Sequence, residues 1–150
     1  MSLKTALIVL FFFFGAALAQ SIRQDTYRDL TMLETIINSR ANDFFLMGNG
    51  FMWNGLENLL KKKLASKGTR VRILTGQKDA VRFANLARAG AEVRMLPGSI
   101  SQGPLLAGDL LVGQKNQLEF TVVDSSEMVS IVRTRVSQLF TSSMTKVYKP

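Results

Sequence analysis

A chain of 150 residues, or 131 once a leader ending at Ala19 is removed, is the size of one ordinary domain and leaves no room for two catalytic ones. Its 47% apolar and 20% charged residues, with three prolines, are the composition of a chain that buries a core. Histidine and cysteine are both absent, which excludes imidazole general bases, Ser-His and Cys-His nucleophilic pairs, the usual zinc sites, iron–sulfur clusters and disulfides. What remains is a binding or structural role, or an enzyme that works with carboxylates, hydroxyls and lysines alone.

Lys4 is followed by an apolar run over residues 6–14 that continues through Gly15 to Ala19, with small residues at Ala17 and Ala19 and polar Gln20 and Ser21 next. The pattern is that of a secretory signal peptide cleaved after Ala19. The run of about 14 apolar residues is shorter than the roughly 20 needed to span hydrocarbon. The expected product is a periplasmic or secreted protein, with no integral membrane span after cleavage and a formal charge of +7 in place of the precursor's +8. The mature chain, residues 20–150, reads as one domain with its core over about 28–142.

After a polar lead over 20–25, Leu30, Leu33, Ile36 and Ile37 recur at helical spacing. Phe44 to Met47 is a continuous apolar run stopped by Gly48-Asn49-Gly50, the pattern of a buried strand. Leu56, Leu59, Leu60 and Leu64 predict a second helix, with Lys61, Lys62, Lys63 and Lys67 in and after its last turns, where cations suit the negative helix end. A strand over 70–74 follows, then a third helix carrying Val81, Ala84, Leu86 and Ala87 and ending at Gly90, then a strand over 92–96. Three helix-to-strand units in succession are the rhythm of a parallel sheet with crossover helices. Residues 99–104 read as loop. Strands over 110–112 and 118–123 lie close enough to force an antiparallel hairpin. Asp124-Ser125-Ser126-Glu127 opens a last helix carrying Met128, Ile131, Val132, Val136, Leu139 and Phe140, and 141–150 reads as a frayed tail.

The order of these elements, with the phrases Leu64-Ala65-Ser66-Lys67-Gly68-Thr69-Arg70-Val71-Arg72-Ile73-Leu74 and Leu86-Ala87-Arg88-Ala89-Gly90-Ala91-Glu92-Val93-Arg94, resembles the phospholipase D superfamily over roughly Leu30 to Phe140. The resemblance implies an α/β half-unit: a mixed, mostly parallel sheet flanked by helices, with a C-terminal antiparallel hairpin and helix. The family's signature is His-x-Lys with an Asp five residues after the Lys, and single-motif members pair to assemble one site. Aligning 110–112 with the family's strand puts Ala107 at the His position, Asp109 at the Lys position and Gln114 at the Asp position. The Gly-Ser-x-Asn segment that follows the signature in the family is missing by this alignment. Ala107 offers no lone pair to phosphorus, and Asp109 reverses the charge that would hold a phosphate. By resemblance the chain is a member that has lost its catalytic constellation and binds without cutting, alone or as a homodimer or a heterodimer with an active relative.

The candidate ligand surface is the cluster Lys61, Lys62, Lys63, Lys67, Arg70 and Arg72, which suits DNA or another polyanion. The competing reading is a solvated helix end that keeps the chain soluble. Arg70 and Arg72 alternate with Val71 and Ile73, so on a central strand they would need partners, which makes the lysines the better ligand contacts. Phe51, Met52 and Trp53 form an aromatic loop that either stacks on a ligand or closes the end of the sheet. Asp43, Asp109 and Asp124 lack metal-loop spacing, and neither a metal nor a cofactor is expected. Two alternatives stay open: an active phosphodiesterase of the same type with a substituted nucleophile, and a structural partner in an envelope assembly of secretion or conjugation type.

Overall fold

The computed structural model describes residues 23–150, so the leader expected over 1–19 lies outside the described residues. One eight-stranded sheet organises them. Its strands are β1 (Gln24–Tyr27), β2 (Asp43–Met47), β3 (Arg70–Gly76), β4 (Glu92–Leu96), β5 (Leu105–Ala107), β6 (Leu110–Asn116), β7 (Glu119–Asp124) and β8 (Lys146–Val147). They lie in the order β1-β7-β6-β5-β2-β3-β4-β8. The helices are α1 (Leu30–Arg40), α2 (Leu56–Leu64), α3 (Ala84–Arg88) and α4 (Ser126–Phe140), with a 3-10 turn over Ala80–Phe83 leading into α3.

The three-unit rhythm is present as the parallel trio β2, β3 and β4. The sheet as a whole is mostly antiparallel, which corrects the expectation of a mostly parallel one. Only two pairings are parallel, and five are antiparallel: β1 with β7, β7 with β6, β6 with β5, β5 with β2, and β8 with β4. The cause is the length of the connections. Two residues join β5 to β6 and two join β6 to β7, and such links allow only hairpins.

Strand alternation divides the core in two. Phe44, Leu46, Val71, Ile73 and Val93 face α1, α2 and α3, while Phe45, Met47, Leu74 and Leu96 face α4 through Val129, Val132, Val136 and Phe140. Phe45 meets Phe140 edge to face, with ring centroids 5.2 Å apart. Asp29 caps α1, its Oδ1 accepting from the Thr31 and Met32 amides, and the Ser125 Oγ caps α4 by accepting from the Met128 amide at 3.2 Å.

Four local expectations change. The polar lead contains β1, an edge strand without an apolar stripe. The expected third helix begins as a 3-10 turn, with Ala80 and Phe83 buried on one side and Val81 in solvent. β5 is a strand of three residues that the Gly108-Asp109 turn hides from a search for longer apolar runs. The expected frayed tail instead adds β8 to the edge of β4, and the Tyr148 amide donates to the Val93 carbonyl at 2.9 Å.

Candidate functional site

The parallel trio gives the sheet two distinct ends. At the carboxyl ends of its strands, the segment over 97–104 folds back on β2. The Gln102 side chain donates through Nε2 to the carbonyls of Met47, at 3.2 Å, and Gly103, at 3.3 Å. Gly48 makes this approach possible: its φ is +147°, and a Cβ there would fall 2.5 Å from the Gln102 amide nitrogen. The aromatic loop closes this end from inside. Trp53 is buried, donates Nε1–H to Glu34 Oε1 at 2.7 Å and packs edge to face on Phe120, while Phe51 packs on Phe83. Met52 and Trp53 are therefore core, and Phe51 packs half-buried against it.

The amino ends of the trio are different. Each of α1, α2 and α3 runs down to the start of the next strand, so their last turns gather there, carrying Arg40, Lys61, Lys62, Lys63 and Arg88. Helix C-termini are negative ends, and cations in the last turn are locally stabilising. Lys67 follows α2 and Arg70 opens β3, which extends the row.

The structure divides the six sequence-predicted cations into two groups. Lys61, Lys62 and Lys67 are exposed, with no acidic partner among the described residues. Arg70 is exposed and lies 3.8 Å from Glu92, a distance at which the pair is weak. Lys63 is committed: its ammonium donates to the Asn38 carbonyl at 2.7 Å and tethers α2 to the end of α1. Arg72 leaves the set altogether. It is 7% exposed, lies over the Phe45 ring at 4.8 Å, and reaches Asp43 at 3.4 Å. It points to the α4 side because it alternates with Val71 and Ile73. Burial pulls its guanidinium below the ordinary arginine value, against the attraction of Asp43, and its Nε has no acceptor. Such a group is part of the core.

Arg88 joins the exposed row, though no run of basic residues marked it in the sequence. The topology brings it in, because α3 packs beside α2 and Asn85 donates to Glu57 across the pair at 3.2 Å. The acids of this end are largely occupied. Asp43 accepts from Arg72 and Arg133, and Asp124 accepts two bonds from Arg40, at 2.8 and 3.1 Å. Asp109 stands exposed in the β5–β6 turn. Asp43, Asp109 and Asp124 build no metal centre, and no group of three or more potential metal ligands gathers among the described residues.

Ala107, Asp109 and Gln114 do not converge. Ala107 is fully buried at the end of β5, opposite Phe44, and Gln114 is exposed on β6 opposite Phe120. The strand that follows the 97–104 loop is β5, which offers a second starting point for the alignment. Counted from β5, the His-x-Lys and Asp spacing lands on Gln102, Pro104 and Asp109. Gln102 then sits at the carboxyl end of β2, and Asp109 follows Gly108, whose amide donates to the Asp43 carbonyl at the amino end. A strand length of about 13 Å separates the two ends.

No family model matches the sequence, and no curated protein matches it either. Solved structures do. NucT from Helicobacter pylori superposes with a TM-score of 0.63 at 14% identity, over 85% of this chain and 100% of that one. The phospholipase D family member Nuc from Salmonella typhimurium gives 0.61 at 12% identity, over 87% of this chain and 99% of that one. TrmBL2, described as an archaeal chromatin protein with a novel mode of DNA binding, gives 0.56 at 15% identity over 98% of this chain. The chain spans 62% of the length of TrmBL2. The fold is thus the phospholipase D-like α/β fold, and it is shared both by phospholipase D family proteins and by a protein of chromatin.

Proposed function

We propose that this chain is an exported, non-catalytic phospholipase D-like module that binds DNA or another polyanion through the amino-end rim of its sheet. One observation carries the reading: Lys61, Lys62 and Lys67 stand exposed without acidic partners, beside Arg70 and Arg88, on the ends of rigid elements. The fold supports a nucleic-acid role, since TrmBL2 combines this fold with DNA binding. Loss of catalysis is supported by the chemistry of the chain. Neither placement of the signature puts a histidine or a lysine where the family needs one, and the chain contains no histidine to supply. Export rests on the leader pattern ending at Ala19. The reading extends to a partner half-unit, either a second copy or an active relative, because family members with one motif work in pairs.

The experiment is to titrate the purified protein with labelled DNA and with heparin across a salt series, following cleavage in the same samples. Binding that weakens steeply with salt and leaves the DNA intact is the expected result. Cleavage above that of a mock preparation would overturn the non-catalytic reading in favour of a substituted nucleophile. No binding to either polyanion at low salt would redirect the search to a protein partner in an envelope assembly.

A further inference from the structure

Resting on the polyanion reading, we infer that the ligand of the rim is duplex nucleic acid, held through its phosphates without regard to sequence. Three observations lead there. The anchor points of the cations are fixed in space, because Lys61, Lys62 and Arg88 sit on the last turns of two helices packed side by side, and Arg70, weakly paired with Glu92, opens the strand between them. Packed helices lie about 8–10 Å apart, so the anchor points of the row are spaced between the widths of the minor and major grooves, about 6 and 12 Å, on a rigid base. A preset array suits a duplex, whose phosphates are themselves held at fixed spacing, and gives less advantage against a flexible strand.

The second observation concerns aromatic rings. Proteins that hold single strands stack the bases on aromatic side chains. Among the described residues the phenylalanines and Trp53 are buried or half-buried, and Tyr27 and Tyr148 are half-buried at the two outer edges of the sheet. Tyr148 alone lies near the rim, where its amide bonds the Val93 carbonyl one residue into β4, and its ring packs half-buried on the helix-side core.

The third observation concerns the groups that would read base edges. Sequence is read by amide and guanidinium side chains that are free to make paired bonds. Asn42 accepts from Lys63 through Oδ1, Asn85 faces Glu57 and Arg88, and Arg70 faces Glu92. Arg88 makes one 3.4 Å bond to Asn85 and has no acidic partner among the described residues, and the other unengaged cations are lysine ammoniums, which act as point charges on phosphate.

The test is fluorescence anisotropy on two 20-base-pair duplexes of unrelated sequence and on a single strand of the same length, at salt concentrations from about 20 to 200 mM. Both duplexes should bind equally and about tenfold or more tighter than the single strand. The logarithmic salt slope should be near −4.5, as expected of about five neutralised phosphates. The variant with Lys61→Gln, Lys62→Gln and Lys67→Gln together should flatten the slope by about 2.7, while Lys78→Gln at the opposite end of the sheet should change nothing. The triple variant should stay folded with a thermal midpoint only a few degrees below the parent, since all three side chains lie in solvent and only Lys61 and Lys62 favour the negative end of α2. A single strand bound as tightly as the duplexes, a strong preference between the two duplexes, or an unaltered slope in the triple variant would overturn the inference. Heparin binding without DNA binding would also overturn it and leave the polyanion reading standing. Absence of both at 20 mM salt would remove the polyanion reading itself.

Discussion

Arg133, on the last helix, donates to the carboxylate of Asp43, at the start of β2, across 3.0 Å and ninety residues of chain. The same guanidinium donates to the Gly108 carbonyl at 2.7 Å, and Arg72 reaches Asp43 from the sheet. One carboxylate therefore joins α4, the β5–β6 turn and the parallel trio. Asp43→Asn removes the shared charge and leaves the buried Arg72 guanidinium without a counter-ion. The expected loss is about 2 kcal/mol, below the range for a fully buried pair because Asp43 is half-exposed. Arg72→Met should stay within about 1 kcal/mol of the parent, since an apolar side chain of similar length suits that site on Phe45. Urea denaturation checks both, and equal losses in the two variants would contradict the arrangement.

Phe140 fixes α4 to its face of the sheet through Phe45 on one side and the Arg94 guanidinium on the other, 5.2 Å from its ring. Phe140→Ala should cost about 3–4 kcal/mol and lower the thermal midpoint by more than 10 °C. Calorimetry measures it. A loss under 1 kcal/mol would mean that α4 is held by its other contacts alone.

Acid sensitivity has one identifiable contributor. The hydrogen-bonded Arg40 guanidinium holds the Asp124 carboxyl below its ordinary value, and the carboxylate in turn raises Arg40. A depressed carboxyl stabilises the fold fully above its unfolded value near pH 4 and loses that contribution as the pH falls through its folded value. Both partners are half-exposed, so the contribution is about 0.5 kcal/mol. Asp124→Asn should therefore be less stable than the parent at pH 7 and indistinguishable from it at pH 2. A difference that persists at pH 2 would point to a cause other than the ion pair.

Gly48→Ala tests the closure of the carboxyl end. The substitution combines a positive φ with a collision against the Gln102 amide, and should cost about 2 kcal/mol. Gln102→Ala alone should cost about 1 kcal/mol through the lost bonds to the Met47 and Gly103 carbonyls. In the double variant the two losses should not add, because removing Gln102 removes the collision. Full additivity, measured by urea unfolding, would show that the strain belongs to the backbone only.

The sequence made the interior of the fold legible where it writes long apolar runs. The stretches Phe44 to Met47 and Val71 to Leu74 announced buried strands, and their spacing from the helices announced the parallel trio. β1, β5 and β8 escaped because each is an edge strand or a short one, held by backbone pairing more than by its own apolar pattern. The rim was half legible: the lysine run stands in the sequence, but the commitment of Lys63 to Asn38 and the arrival of Arg88 follow from helix packing. Arg72 shows the reverse, a charge that looks like surface in a list of basic residues and that strand alternation turns inward.

β8 occupies only two residues, yet it covers the open side of β4. Without residues 146–148 the backbone donors and acceptors of Glu92–Leu96 on that side would face solvent as an unpaired template for another chain. The Lys146 ammonium adds a charge that disfavours stacking of sheets edge to edge. The short strand thus blocks edge-to-edge pairing at β4, and a truncation at Phe140 should raise self-association through that edge, read by light scattering.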